Sequence, residues 1–184
     1  MVIIENKGIT KSFRREDDSY QEVLNDINFA VKEGECFTII GPNGSGKTTL
    51  LKIMSLLESP TDGKVIYNQK DITRLTKKEK VEVRRDFSIK KKKPVVLNAS
   101  VYDNIEYGLK VRELDSQIIE QKVNKMIKTI GLNGMENKNA RSLSGGEMQR
   151  VAIAMNFVLD PDIYFLDEVS ANLDPKNILL LEQF

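Results

Sequence analysis

The sequence predicts an α/β domain, and three observations carry that prediction. An apolar, strand-like run over residues 36–40 leads straight into a glycine-rich turn, Gly41-Pro42-Asn43-Gly44-Ser45-Gly46, which opens onto a helical pattern. A second apolar run, Ile163-Tyr164-Phe165-Leu166, is continuous rather than alternating, as in strands buried on both faces of a parallel sheet. Between the two, residues 100–158 read as a succession of helices, which makes them a helical insertion in an α/β frame.

The composition narrows the chemistry. The chain has 184 residues, 28 Lys+Arg and 27 Asp+Glu, so its net charge is +1, which excludes a globally basic nucleic-acid binder and an acidic tail protein. A hydrophobic share of 40% with 30% charged residues fits a packed, soluble domain rather than a disordered chain. A single cysteine, Cys36, excludes an internal disulfide and fits a reducing compartment. The absence of histidine excludes a Ser-His-Asp triad, a His-ligated zinc and a His general base. The N-terminus lacks a basic region followed by an apolar stretch, and no apolar run approaches a membrane span, so the expected location is the cytoplasm.

Taken in order, Val23, Ile27, Phe29 and Val31 and then Cys36, Phe37, Ile39 and Ile40 read as strands, separated by turn signals at Asn25-Asp26 and Glu33-Gly34. The helix after the glycine turn spaces Leu50, Leu51, Ile53, Met54 and Leu57 for one buried face, and Ser59-Pro60-Thr61-Asp62-Gly63 ends it. Residues 64–67 read as a strand and residues 68–71 as a turn. From Arg74 to Lys93 ten basic residues face three acidic ones, a local charge of +7, and the lysine run Lys90–Lys93 within it reads as a solvated loop. Helices follow over residues 100–112 and 116–130, with Gly131 and Gly134 as caps. A third helix opens after Leu143-Ser144-Gly145-Gly146 and carries Val151, Ile153, Ala154, Phe157 and Val158. A last helix begins at Pro175.

The turn Gly41–Thr48 has the spacing G-x-x-x-x-G-K-[ST] between a strand and a helix. Glycines let backbone N–H groups curl around phosphate oxygens, and the helix start adds its dipole. Lys47 can reach terminal phosphates and the Thr48 hydroxyl can ligate Mg²⁺. Asn43, Gly44, Ser45, Gly46, Lys47, Thr48 and Thr49 are the expected phosphate-binding set. At the end of the second apolar run stand Asp167 and Glu168, where α/β folds place ligands. Asp167 would hold the metal, directly or through water, and Glu168 would deprotonate an attacking water. Ser144, Gly145 and Gly146 repeat the anion-binding design of the first loop, although Ser144 can equally be an ordinary helix N-cap.

In this order, Gly41–Thr48, Leu143–Glu147, residues 163–168 and Ala171-Asn172-Leu173-Asp174 resemble the Walker A, signature, Walker B and D-loop of ATP-binding cassette (ABC) ATPases. The resemblance spans nearly the whole chain. It implies a P-loop NTPase core with an N-terminal antiparallel β subdomain and a helical subdomain at about 94–150, all one nucleotide-binding domain over residues 1–184. It further implies ATP and Mg²⁺ as ligands, a head-to-tail dimer with a second ATPase subunit, and transmembrane permease subunits as partners, with no direct nucleic-acid contact. Ser144, Gly145, Gly146 and Asp174 would then act on nucleotide across the dimer interface, and Phe13 would stack on adenine. Phe13 can alternatively be a core residue of an early strand. The segment from Pro94 to Ile105, with Gly108-Leu109, resembles importer cassettes, nearest to those of small oxyanions. The implied function is the ATP-hydrolysing subunit of an importer on the cytoplasmic face of a membrane. The alternatives are a nucleotide-binding interaction module with little hydrolysis and, behind it, a soluble cassette acting on nucleic acid.

Two departures stand against the family pattern. Lys92 occupies the place of a glutamine that offers an oxygen to Mg²⁺, and lysine has three donors and no acceptor. The family continues through another strand ending in a switch histidine, whereas this sequence ends at Phe184 without any histidine. The expectation is a cassette lacking its last strands, as a shortened form or, second, as a decayed gene. Glu147 replaces the usual glutamine of the signature, and Val169-Ser170 the usual Pro-Thr, both tolerable changes.

Overall fold

A computed structural model describes residues 1–90 and 95–167, the Lys90 side chain excepted. Two compact units divide the chain, Met1–Arg84 and Arg85–Phe184.

The first unit is built on a four-stranded antiparallel sheet in the order β2-β1-β3-β4. β1 (Val2–Arg14) is paired on one side by β2 (Tyr20–Lys32) and on the other by β3 (Asp62–Tyr67). The short β4 (Lys70–Asp71) returns along β3 through Asn68 and Gln69, both at positive φ, which gives the tight turn expected of a two-residue hairpin. Ile4, Ile9, Leu24, Val31, Val65 and Tyr67 are the buried apolar side chains of these strands, with Asn6 buried among them. Helix α1 (Lys47–Met54) adds Leu50, Ile53 and Met54. Leu57, expected on the same buried face, lies beyond the helix end and is 47% exposed.

Two further expectations are corrected in this unit. Residues 36–40 form no strand, because no ladder hydrogen bond joins them to any described neighbour; Ile40 is 91% exposed. Apolar alternation marks a strand's faces but supplies no partner. The Asn25-Asp26 turn signal is a bulge inside a continuous β2. The register shifts on either side of Ile9, and Asp26 takes positive φ while its N–H donates to Thr10 Oγ1 at 3.2 Å. Within the basic segment, residues 77–83, to which the sequence reading assigns no element, form helix α2 (Lys77–Val83). Its capping box is reciprocal: Thr76 Oγ1 accepts from the Glu79 N–H, and the Glu79 carboxylate accepts from the Thr76 N–H at 2.8 Å.

In the second unit β5 (Phe87–Lys90) pairs in parallel with β6 (Ile163–Leu166), Phe87 opposite Ile163 and Lys90 opposite Leu166. Helices α3 (Val101–Val111), α4 (Ser116–Thr129) and α5 (Gly145–Phe157) follow the expected positions to within a residue or two. Their common core holds Val101, Ile105, Leu109, Val123, Ile127, Val151 and Ile153. Asn104 is fully buried and satisfied. Its Nδ2 donates to the carbonyls of Leu97, Ala99 and Ser100, and its Oδ1 accepts from the Leu97 N–H at 2.7 Å. That network fixes the incoming chain onto α3. Arg112, at the end of α3, donates to the Leu159 carbonyl at 2.9 Å and to the Arg85 carbonyl, tying the helical core to the approach of β5. Among the described residues no helix is long and apolar enough to cross a membrane.

Candidate functional site

The phosphate loop enters α1 through Gly46, the helix N-cap, at φ 89°. A Cβ at Gly46 would overlap the Leu24 side chain and the Val23 carbonyl, so only glycine allows this entry. No side chain caps α1, and the helix dipole favours an anion at its start. Gly44 is also at positive φ, and Ser45 N–H closes a turn onto the Pro42 carbonyl at 3.3 Å. Lys47 Nζ donates to the Gly41 and Pro42 carbonyls, each at 2.8 Å. The ammonium thus sits at the mouth of its own loop, where phosphate oxygens would replace the two carbonyls. Asn43, Ser45 and Thr48 are exposed, and Thr49 is half-buried.

Phe13 lies near the end of β1. Gly46 packs on Leu24, Leu24 pairs with Lys11, and the Lys11 ammonium lies 4.8 Å from the centre of the Phe13 ring. Phe13 is 40% exposed at the strand end, which disposes of the core-residue alternative. Lys11 also binds Glu58 at 2.8 Å and the Ser59 carbonyl at 2.7 Å, and that bond holds the Glu58 carboxyl below its ordinary range. Sequence reasoning missed Lys11. Its place two residues before Phe13, on the same face of a strand, was the available signal.

The second unit carries the acidic strand end and the signature. Asp167 follows β6 directly and is half-buried. Because β5 and β6 are parallel and in register, the chain leaving β5 at Lys90 departs from the same sheet end as Asp167. Below them, Ser88 Oγ donates to Asn156 Oδ1 at 2.9 Å, and Phe87 meets Phe165 edge to face at 5.4 Å, so β5, β6 and α5 are fixed together. Ser144 is the N-cap of α5 in a full capping box. Its Oγ donates to the Glu147 carboxylate at 2.6 Å, and its N–H donates to the same oxygen at 2.9 Å. These bonds hold the Glu147 carboxyl below its ordinary range. Gly145 and Gly146 are exposed with open space where a Cβ would stand. Ser144 is thus the helix N-cap of the second reading, at a helix start whose Gly145 and Gly146 are exposed.

Lys92, Glu168 and Asp174 lie outside the described residues, as do Ala171, Asn172 and Leu173. The loop with Phe13 and the strand end with the signature belong to different units. For Mg²⁺ the sequence-predicted donors are a hydroxyl, Thr48, and a carboxylate, Asp167. These are hard oxygen ligands that suit a cation which keeps most of its waters and completes its shell on phosphate.

The comparisons with known proteins agree with this geometry. The sequence pattern of ABC transporters matches residues 24–171, from β2 through the phosphate loop and signature to the D-loop. The chain belongs to the ABC transporter family. A spermidine/putrescine import ATP-binding protein, PotA of Mycoplasma capricolum subsp. capricolum, is 37% identical over 174 residues, 95% of this chain and 47% of the relative. PotA of Mycoplasma mycoides subsp. mycoides SC gives the same figures, so the chain spans about half the length of the curated relatives it matches. Among solved structures, the dimeric ABC cassette MJ0796 bound to ADP and Pi superposes with a TM-score of 0.87 at 28% identity, over 98% of this chain and 80% of that one. The cassette cbiO1 from Clostridium perfringens, part of the transporter complex cbiONQ, superposes with a TM-score of 0.84 at 29% identity, over 99% and 73%. The fold is that of ABC ATPase cassettes, the mixed α/β architecture with an antiparallel sheet that the sequence predicts.

Proposed function

We propose that this chain is the ATP-binding and hydrolysing part of an ABC importer, peripheral on the cytoplasmic face of a membrane. The observation that carries the reading is the phosphate loop: a helix start with no side-chain cap, a Gly46 that admits no Cβ, and Lys47 poised at the loop mouth. In this reading residues 1–184 act as one nucleotide-binding domain, with about 94–150 as its helical subdomain. Lys47 and the loop amides hold the phosphates of ATP, and Phe13 stacks on adenine. Thr48 and Asp167 hold Mg²⁺, which offsets charge on the phosphates when bound. Glu168 takes a proton from the attacking water. Ser144, Gly145, Gly146 and Asp174 complete the site of a second ATPase subunit, and permease subunits take up the motion. Tyr107 and Val111, one helical turn apart on α3 and more than half exposed, support a protein-docking face on the helical unit.

Two solute classes have support. The segment from Pro94 to Ile105 resembles importers of oxyanions, whereas the PotA relatives, matched over 95% of the chain, are named for spermidine and putrescine. The polyamine class has the broader base. The test of the core reading is ATP binding and turnover in three forms. Lys47→Ala should lose ATP binding, and Glu168→Gln should keep it, lose turnover and accumulate an ATP-bound dimer. Unchanged turnover in Glu168→Gln would sink the assignment. Lys92 favours a second reading, a nucleotide-binding module that hydrolyses little, because a lysine at that place offers the cation no oxygen. Lys92→Gln should then raise turnover at unchanged ATP affinity, and equal, robust rates in both forms would remove that reading.

A further inference from the structure

Lys11 has no role in the site proposed above, yet its ammonium is held from three sides. It donates to Glu58 at 2.8 Å and to the Ser59 carbonyl at 2.7 Å, and it lies 4.8 Å from the centre of the Phe13 ring. A lysine on a surface strand ordinarily keeps its ammonium in water. The Lys11 side chain is instead only 12% exposed. Residues 58 and 59 follow α1, so the chain leaving the phosphate-loop helix supplies both oxygens that fix this cation.

Two plainer roles do not account for this arrangement. Joining the end of β1 to residues 58–61 does not need Lys11. The Thr61 N–H donates to the Thr10 carbonyl at 2.8 Å and the Ser12 N–H to Thr61 Oγ1 at 3.0 Å, which already makes that joint. A direct phosphate contact suits Lys11 poorly, since two of its three N–H donors are taken and the Glu58 carboxylate neutralises its charge. What remains is the aromatic ring. A cation over one face of a ring draws π density toward itself. The opposite face then meets the π cloud of a stacked base with less repulsion. The contact also holds the ring in one orientation, so less freedom is lost when a base arrives. Phe13 is 40% exposed with the cation in place, which leaves ring surface for a planar partner.

We propose that Lys11 is a positioning residue for the nucleobase: anchored by Glu58 and Ser59, it backs one face of the Phe13 ring and readies the other for adenine. The inference rests on the proposed stacking of Phe13 on adenine, and it adds a residue that acts through the ring without touching nucleotide.

The experiment is titration calorimetry of the chain with ATP and Mg²⁺ and, separately, with inorganic tripolyphosphate, which can engage the phosphate loop but has no base. Lys11→Met keeps the aliphatic stem and removes the cation. It should weaken ATP binding about three- to tenfold, the range from an exposed to a partly desolvated cation–π contact, and leave tripolyphosphate affinity unchanged. Lys11→Arg, which keeps a cation for the ring, should bring ATP affinity back to within about twofold. Lys11→Met with Glu58→Gln, which leaves no unpaired carboxylate behind, should behave as Lys11→Met alone. In a Phe13→Ala background Lys11→Met should have no further effect on ATP, because the two side chains act as one. Equal losses for ATP and tripolyphosphate would mark a general structural tie and overturn the proposal. So would unchanged ATP affinity in Lys11→Met, or a loss that persists in full in the Phe13→Ala background. Unchanged ATP affinity in Phe13→Ala would overturn the stacking and the inference with it, whereas a loss in Phe13→Ala with none in Lys11→Met would overturn the inference alone.

Discussion

At the scale of single residues, the phosphate loop is where sequence and geometry constrain each other most. Gly46 has to hold φ 89° while the Leu24 side chain and Val23 carbonyl occupy the space of a Cβ. Gly46→Ala should therefore lower stability by about 2 kcal/mol, since a side chain in that backbone region is strained and its neighbours must also shift. Urea denaturation followed by circular dichroism measures this, and a midpoint equal to that of the unaltered chain would refute it. The contrast is Gly44, also at positive φ but with open space around it, where the same change should cost less. Gly46 and Lys47 were legible in the sequence because a motif states backbone conformation and charge together. Lys11 was not, because its position over Phe13 depends on Glu58 and Ser59, 47 and 48 residues further along the chain.

At the scale of elements, three helices start the same way. Thr76–Glu79, Ser100–Asp103 and Ser144–Glu147 are reciprocal capping boxes, and in each the acidic carboxyl is held below its ordinary range by the hydroxyl it accepts from. A carboxyl lowered in the folded state adds stability that is complete above its unfolded pKa. That stability is lost as pH falls through the lower folded value. Ser100→Ala should thus cost about 1 kcal/mol at neutral pH. Its difference from the unaltered chain should shrink below about pH 4, where Asp103 takes up a proton in either form. Urea midpoints at neutral and acid pH measure this, and a pH-independent difference would show that the box owes nothing to the ionised carboxylate. The same signature explains what was readable among the elements. Serine or threonine followed three residues later by an acid marks α2 as well as α3 and α5, although residues 77–83 carry no apolar periodicity to go with it. Residues 36–40 show the converse. Their apolar pattern is strand-like, but a strand exists only through its partner, and pairing is non-local information that a pattern does not contain.

At the scale of the whole molecule, the two units divide the physics as well as the chain. In Met1–Arg84 the buried set is mainly strand and α1 side chains, Ile4, Ile9, Val65 and Ile53 among them. In Arg85–Phe184 it is mainly helical, centred on Ile105, Leu109, Val123 and Ile127. The strand alternation and helical spacing that predict these sets were legible for α3, α4 and α5, whose apolar positions repeat every three or four residues. The division itself was not, because the sequence runs from α2 through the 3₁₀ turn Arg84–Asp86 into β5 without a linker composition. Two separate cores imply two separately addressable stabilities. Truncating Ile105 to alanine should cost about 2–5 kcal/mol in the second unit, and truncating Ile9 to alanine a similar amount in the first. Amide hydrogen exchange resolves them. Ile105→Ala should speed exchange in α3, α4 and α5 while β1, β2 and β3 keep their protection, and Ile9→Ala should do the reverse. If either substitution sped exchange equally throughout the described residues, the units would open as one. The apolar side chains of each would then have to be counted as parts of a single cooperative core.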